Sequence, residues 1–76
     1  MVKTKAGVTI GTRVFLRLKG VKAKTGLPES TIYYLQAKGE FPRSVKLSER
    51  VAAWDEGEVD AWMAEKIEQR DQAVAA

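Results

Sequence analysis

The chain of 76 residues is long enough for one small domain and carries a net charge of +3, with no cysteine and no histidine. Without cysteine, disulfides and thiolate metal sites are excluded, and without histidine the usual general base and the commonest zinc ligand are missing. We therefore expect neither an enzyme nor a protein that holds a metal ion or another cofactor.

The first elements in chain order are an arm, a short apolar run and a short helix. Residues 1–13 lack a clear period, so we expect a flexible N-terminal arm that is either disordered or reaches DNA. The apolar run at 14–18 predicts a short strand or an extended lead-in that anchors the core. A first helix is predicted over 19–25, and Gly26 tolerates the positive φ with which such helices end.

A second helix is predicted at about residues 28–38. Pro28 suits a helix start, because its missing N–H would have no partner there. Ile32 and Leu35, three residues apart, predict the face that packs on the core. Gly39 follows the last turn and closes the helix.

A small antiparallel hairpin, the wing (residues 45–53), is predicted next. Its strands correspond to 44–47 and 51–54, and no Asn-Gly pair marks the turn between them. Val45 and Leu47 alternate with polar neighbours, a pattern that indicates a half-buried strand.

The last element is the clearest amphipathic helix of the chain. Asp55 is a plausible N-cap, with Glu58 three residues later as in a variant of the capping box. Four apolar residues follow at i, i+3, i+4 and i+8: Val59, Trp62, Met63 and Ile67. We expect Trp54 and Trp62 in the core, a domain over 14–71 and a frayed tail at 72–76.

No apolar run in the sequence approaches the roughly 20 residues that a membrane span needs. The charged first residues are not followed by a long apolar stretch, so no signal peptide is expected. We expect a cytoplasmic protein with no membrane partner.

Charge is divided unevenly along the chain. Residues 1–50 hold eleven Lys and Arg against three acidic residues, a net charge of +8, whereas residues 51–76 have a net charge of −5. This asymmetry favours one surface for a polyanion and another that is solvated or meets a different partner. The alternative is a solvated basic surface that happens to lie in one half.

Two short helices joined by a glycine-containing turn are typical of a helix-turn-helix, whose second helix usually enters the major groove of DNA. The wing cations (Arg43, Lys46 and Arg50) could straddle phosphates or enter the minor groove, although edge charges also keep a surface hairpin soluble. We expect Tyr33 to reach the DNA backbone and Tyr34 to be partly exposed. Ten residues are predicted to contact DNA: Lys24, Ser30, Thr31, Tyr33, Tyr34, Lys38, Arg43, Lys46, Ser48 and Arg50.

Over about residues 15–70 the chain resembles the AlpA family of phage and prophage regulators. The resemblance depends on the order of the blocks GLPESTIYYL (26–35), AKGEFP (37–42), VKLSER (45–50), AW (53–54) and EVDAW (58–62). It implies a mainly α fold with a small β-hairpin, a MerR-like, excisionase-type winged helix-turn-helix. It also implies a bacterial or phage source, and a role in transcription of prophage genes, often an integrase gene, or in excision.

The sequence departs from the family pattern on the second helix. Family members often have serine at the position of Pro28 and a basic residue at the positions of Glu29 and Tyr34. Glu29 repels phosphate, so the departure implies weaker binding or a preference for a cytosine amino group.

The main hypothesis is a sequence-specific regulator that binds double-stranded DNA, in several copies on repeated sites if one small module binds weakly. One alternative is an excisionase-type architectural factor that assists an integrase. Another is a protein-interaction module such as an anti-repressor. Integrase and RNA polymerase are the candidate protein partners, and nothing in the sequence decides between the regulator and the excisionase.

Overall fold

The computed structural model describes residues 13–75 of the chain. The elements are, in order, β1 (Phe15–Leu16), α1 (Leu18–Thr25), α2 (Glu29–Ala37), β2 (Val45–Ser48), β3 (Val51–Asp55) and α3 (Glu56–Ala75). The strands form an antiparallel sheet in the order β1-β3-β2. This mainly helical architecture with a hairpin confirms the predicted fold class, a winged helix-turn-helix. The predicted arm at residues 1–13 lies outside the described residues, apart from Arg13.

The turn between α1 and α2 is organised by Gly26 and Thr25. Gly26 has φ +77°, in the left-handed region that glycine adopts without steric cost, and its N–H donates to the carbonyl of Lys22 at 2.8 Å. The hydroxyl of Thr25 donates to the carbonyl of Val21 at 2.8 Å and accepts from the N–H of Leu27 at 3.2 Å. The chain can therefore turn directly from α1 into α2.

Helix α2 begins one residue later than the sequence indicated. Pro28 is its N-cap, with φ −72° and ψ 160°, and the proline carbonyl accepts from the N–H groups of Thr31 and Ile32, each at 3.1 Å. At the other end Gly39 has φ +77°, and its N–H donates to the carbonyl of Gln36 at 3.1 Å. Both ends of the predicted recognition helix are thus set by local sequence signals.

The apolar run at residues 14–18 contains a strand, one of its two predicted forms. Strand β1 pairs with β3, with Phe15 opposite Asp55 and Leu16 opposite Trp54. The sheet therefore has three strands. Strand β3 lies in its centre and pairs with β2 in the wing on one side and with β1 on the other.

Strand β2 does not have the predicted half-buried pattern. Val45 and Leu47 are 42% and 46% exposed, and every residue of the strand is exposed. The pattern was misleading because β2 lies at the edge of the sheet, whereas the buried residues of the sheet, Ala53, Trp54 and Asp55, belong to β3.

The core draws one or more residues from each helix, from β3 and from the segment after α2. Its buried members are Val21, Ile32, Phe41, Trp54 and Val59. Trp54 is 1% exposed, as expected of a core residue. Trp62 is half-buried at the margin of the core. Its ring lies edge-on to that of Phe41, with the ring centres 4.8 Å apart, and its Nε1 donates to the carbonyl of Glu40 at 2.7 Å.

Helix α3 starts at the predicted cap and continues beyond the predicted end. The Oδ2 atom of Asp55 accepts from the N–H of Glu58 at 3.1 Å. Ile67, predicted as part of the buried stripe, is 52% exposed, because this part of the helix extends past the core. The tail predicted to fray after Asp71 is helical to Ala75, in keeping with its alanines and its lack of glycine and proline.

None of the helices within residues 13–75 combines the length and the apolar character needed to cross a membrane.

The carboxylate of Asp55 has two roles: Oδ2 caps α3, and Oδ1 forms an ion pair with Arg13 at 3.1 Å. Two substitutions of Asp55 separate these roles. Asp55→Ala removes the cap and is expected to lower the free energy of unfolding by about 1–2 kcal/mol. Asp55→Asn keeps an oxygen acceptor for the cap, loses only the ion pair and is expected to cost less than about 1 kcal/mol. Urea unfolding of both variants measures the difference, and equal losses would contradict the capping role.

Candidate nucleic-acid interface

One face of α2 points away from the core and presents a row of polar and aromatic side chains. Ser30, Tyr34 and Lys38 are spaced four residues apart and therefore line one side of the helix. Tyr34 is 62% exposed, and the Nζ atom of Lys38 lies 5.1 Å from the centre of its ring. Ile32, two residues before Tyr34, is fully buried, so this row lies on the solvent side.

Two further predicted residues flank that row. Tyr33 is 43% exposed, and its ring centre lies 6.1 Å from that of Trp54. The tyrosine therefore packs partly against Trp54 and is partly open to solvent. Thr31 is half-buried beside the helix start. Glu29 is exposed in the first turn, where it brings a negative charge to the face that would read DNA.

The wing supplies a second exposed polar surface. Arg43, Lys46, Ser48 and Arg50 are all exposed. Lys46 lies opposite Ala52 in the β2–β3 pairing, so it shares a face of the sheet with Ala52 and, two residues on, with Trp54. This is the face on which Tyr33 of α2 packs. The Nζ atom of Lys46 donates to the carbonyl of Glu49 at 2.9 Å across the turn.

A glutamine that the sequence reasoning missed joins these two surfaces. The Oε1 atom of Gln36 accepts two hydrogen bonds, from the N–H of Ser44 at 3.1 Å and from the Nε1 of Trp54 at 3.0 Å. The same indole nitrogen lies 3.1 Å from the carbonyl of Pro42. The sequence does place this polar residue four positions after Ile32, and therefore on the side of α2 that faces the core, which could have indicated a buried hydrogen bond.

Lys24, predicted to contact DNA, is bound to α3 in the structure. Its Nζ atom lies 2.8 Å from Glu56 Oε2 and 2.9 Å from Asp60 Oδ1. These hydrogen bonds, to Glu56 first and then to Asp60, raise the pKa of Lys24 above its ordinary value of 10.5. The structure therefore gives Lys24 a contact between α1 and α3, and its contact with DNA stays a prediction.

Because the folded-state pKa of Lys24 is raised, its ion pairs stabilise the fold below the ordinary pKa of 10.5, and the contribution is lost as pH rises through the higher folded value. Lys24→Met is expected to lower stability by a constant amount between about pH 7 and about pH 9.5, with the difference disappearing at higher pH. Thermal unfolding at several pH values measures this. Lys22→Met is the control, since Lys22 is exposed on the same helix and takes part in none of the ion pairs among the described residues. An equal loss in both variants would contradict the assignment.

The surface of α3 has the opposite charge. An open groove runs between α3 and the segment 39–45, with Trp62 and Ile67 along it. Its acidic lining residues on α3 are Glu58, Glu65, Glu68 and Asp71. The described residues contain no group of three potential ligands that could hold a metal ion. Electrostatics thus favour α2 and the wing, rather than α3, as the surface for a polyanion.

Comparison with known proteins is consistent with this geometry. The family model described as "Prophage CP4-57 regulatory protein (AlpA)" matches residues 14–67, which include α1, α2 and the wing. The chain is also similar to "Uncharacterized protein ORF88" of Enterobacteria phage P4, with 51% identity over 53 residues. The match covers 70% of this chain and 60% of that relative.

Proposed function

The chain belongs to the AlpA family of prophage regulatory proteins, and from this premise we propose that it is a sequence-specific regulator of phage or prophage genes that binds double-stranded DNA. In this proposal α2 lies in the major groove, and the wing contacts the backbone or the minor groove. The observation that carries the proposal is the exposed row of α2 beside an exposed basic wing, with the acidic residues gathered on α3.

The exposed row of α2 supplies the groups for base recognition. Ser30 and Thr31 lie in the first turns, the part of a recognition helix that usually comes closest to base edges. Their hydroxyls donate and accept, and Tyr34 adds a phenolic hydroxyl on an exposed ring. Glu29 fits a cytosine amino group, which donates to a carboxylate in the major groove. Lys38 at the last turn would meet phosphate.

The wing cations supply contacts that carry no sequence information. Lys46 lies on β2, Arg50 lies in the turn of the wing, and Arg43 lies just before the wing. All three could therefore meet phosphates at the flank of the bound helix. With about five phosphate contacts in total, the logarithm of the binding constant should fall with the logarithm of salt concentration with a slope near −4.5.

Selection of duplexes from a random library, followed by titration of the selected and scrambled duplexes, tests the proposal. The selected duplex is expected to bind at least about 1,000-fold more tightly than the scrambled one at physiological salt. Binding that ignores both sequence and salt would refute it.

In the same assay Tyr34→Ala and Thr31→Ala are expected to change the preference between sequences, by about 1–3 kcal/mol for a lost base contact. Arg50→Ala should instead weaken binding to every duplex by a similar factor. Ile67→Ala, at an exposed position of α3, serves as the control that leaves both properties unchanged. The division of roles is wrong if Tyr34→Ala and Arg50→Ala act alike on the two duplexes.

An excisionase-type architectural factor is a second candidate, favoured by the acidic residues of α3 along the groove, which offer a protein partner a surface of opposite charge to the wing cations. Integrase or RNA polymerase would contact that side while the protein occupies DNA in the bacterial cytoplasm, in several copies if sites are repeated. An excision assay with the neighbouring integrase, run beside a promoter reporter, separates the two roles. An anti-repressor would instead bind its protein partner after Lys46 and Arg50 are neutralised and would shift no DNA.

A further inference from the structure

We propose that Gln36 is a positioning residue that fixes the wing relative to α2, so that the wing cations and the reading face of α2 meet one DNA duplex together. The inference rests on the proposed function and adds to it a residue that touches no DNA itself. Gln36 is half-buried and lies on the core side of α2, away from Ser30 and Tyr34.

The amide oxygen of Gln36 connects three parts of the chain. It belongs to α2, it accepts from Ser44, the residue before β2, and it accepts from Trp54 of β3. One acceptor therefore ties the start of the wing and its central strand to the recognition helix. Between α2 and β2 the chain includes Gly39, with its positive φ, and passes through a segment without regular structure, so its path is not fixed by a helix or a strand.

Loss of this oxygen would affect the wing more than the core. The indole Nε1 of Trp54 would keep the carbonyl of Pro42 as an acceptor, whereas the N–H of Ser44 would lose its described partner. The next residue, Val45, would still pair with Ala53, so the hairpin would persist. The expected result is a folded domain whose wing is less firmly oriented.

Gln36→Leu removes the acceptor at similar size, and Gln36→Glu retains it. At a temperature where the domain is folded, the affinity of Gln36→Leu for the selected duplex is expected to fall about tenfold. The slope of the logarithm of the binding constant against the logarithm of salt concentration (the salt slope) is expected to become shallower by about 1–2, because the wing contacts phosphates less often. Gln36→Glu is expected to keep the wild-type slope. Hydrogen exchange of the Ser44 amide, which reports the lost hydrogen bond, should become faster in the leucine variant and not in the glutamate variant.

A double-mutant cycle distinguishes positioning from general destabilisation. If Gln36 acts through the wing, Arg50→Ala should lower affinity clearly less in the Gln36→Leu background than in the wild type. Val59→Ala is the control, because it removes buried apolar contacts of α3 and none of the hydrogen bonds of the segment between α2 and the wing. It should lower stability while leaving the salt slope unchanged.

Additive effects of Gln36→Leu and Arg50→Ala, or a wild-type salt slope in Gln36→Leu, would overturn the inference while leaving the proposed function standing. Failure of the wild-type protein to select or bind any duplex would instead refute the proposed function and, with it, this inference.

Discussion

Trp54→Ala is expected to lower the free energy of unfolding by about 3–5 kcal/mol, the usual cost of removing a buried aromatic side chain. Trp54 is the largest fully buried residue of the described chain and lies among Val21, Ile32, Phe41 and Val59. A core of this size rarely supplies more than about 3–5 kcal/mol in total. The alanine variant should therefore be largely unfolded at 25 °C.

Trp54→Phe provides the matched control for that result. It keeps most of the apolar bulk but loses the indole donor to Gln36 and Pro42. We expect it to stay folded with a loss of about 1–2 kcal/mol, the lower part of the range of about 1–3 kcal/mol for an unsatisfied buried group, because Gln36 still accepts from Ser44. Far-UV circular dichroism during urea unfolding measures both variants. An alanine variant with the wild-type midpoint would show that the core does not depend on this side chain.

Removing both cations at the turn of the wing is expected to have the largest effect on binding. In Lys46→Ala/Arg50→Ala, affinity should fall roughly 30-fold near 0.15 M salt, and the salt slope should become shallower by about 2, because two phosphate contacts are lost. The loss should be similar for the selected and scrambled duplexes, since phosphates carry no sequence information.

The matched control removes two cations from α3. Lys66 lies over the Trp62 ring and Arg70 pairs with Asp71, so these contacts of both cations are with residues of α3. Lys66→Ala/Arg70→Ala changes the net charge by the same amount and is expected to alter affinity only slightly, because neither cation belongs to the proposed contact surface and salt screens exposed charges. Equal losses in the two double variants would mean that net charge, rather than the wing, drives association.

Features set by a few neighbouring residues could be predicted from the sequence. Gly26 and Gly39 marked the ends of two helices because only a residue that tolerates positive φ fits there, and Asp55 was identified as the cap of α3. The family could be predicted too, since the order of several short blocks is specific even though each block alone is not.

Features that depend on which distant surfaces meet could not be predicted. The pairing of Phe15 with Asp55 joins residues far apart in the chain, and no local pattern encodes it. Val45 and Ile67 follow apolar periodicities correctly, yet both are exposed because the core ends before it reaches them. The ion pairs of Lys24 with Glu56 and Asp60 join α1 to α3, and no local pattern encodes them.

The contacts of Gln36 illustrate the same limit at the candidate site. A glutamine within a helix has no sequence signature for accepting from a backbone N–H eight residues later and an indole eighteen residues later. The DNA contacts themselves remain predictions, because they depend on a partner that the sequence of this chain does not describe.

The central claim is that α2 and the wing together form the DNA-binding surface. Its most direct test is a comparison of backbone amide NMR spectra of the protein with and without the selected duplex. We predict signal changes concentrated in residues 29–38 and 43–51, with the second half of α3, from Trp62 to Val74, unchanged. Changes confined to α3, or none at saturating duplex, would contradict the account.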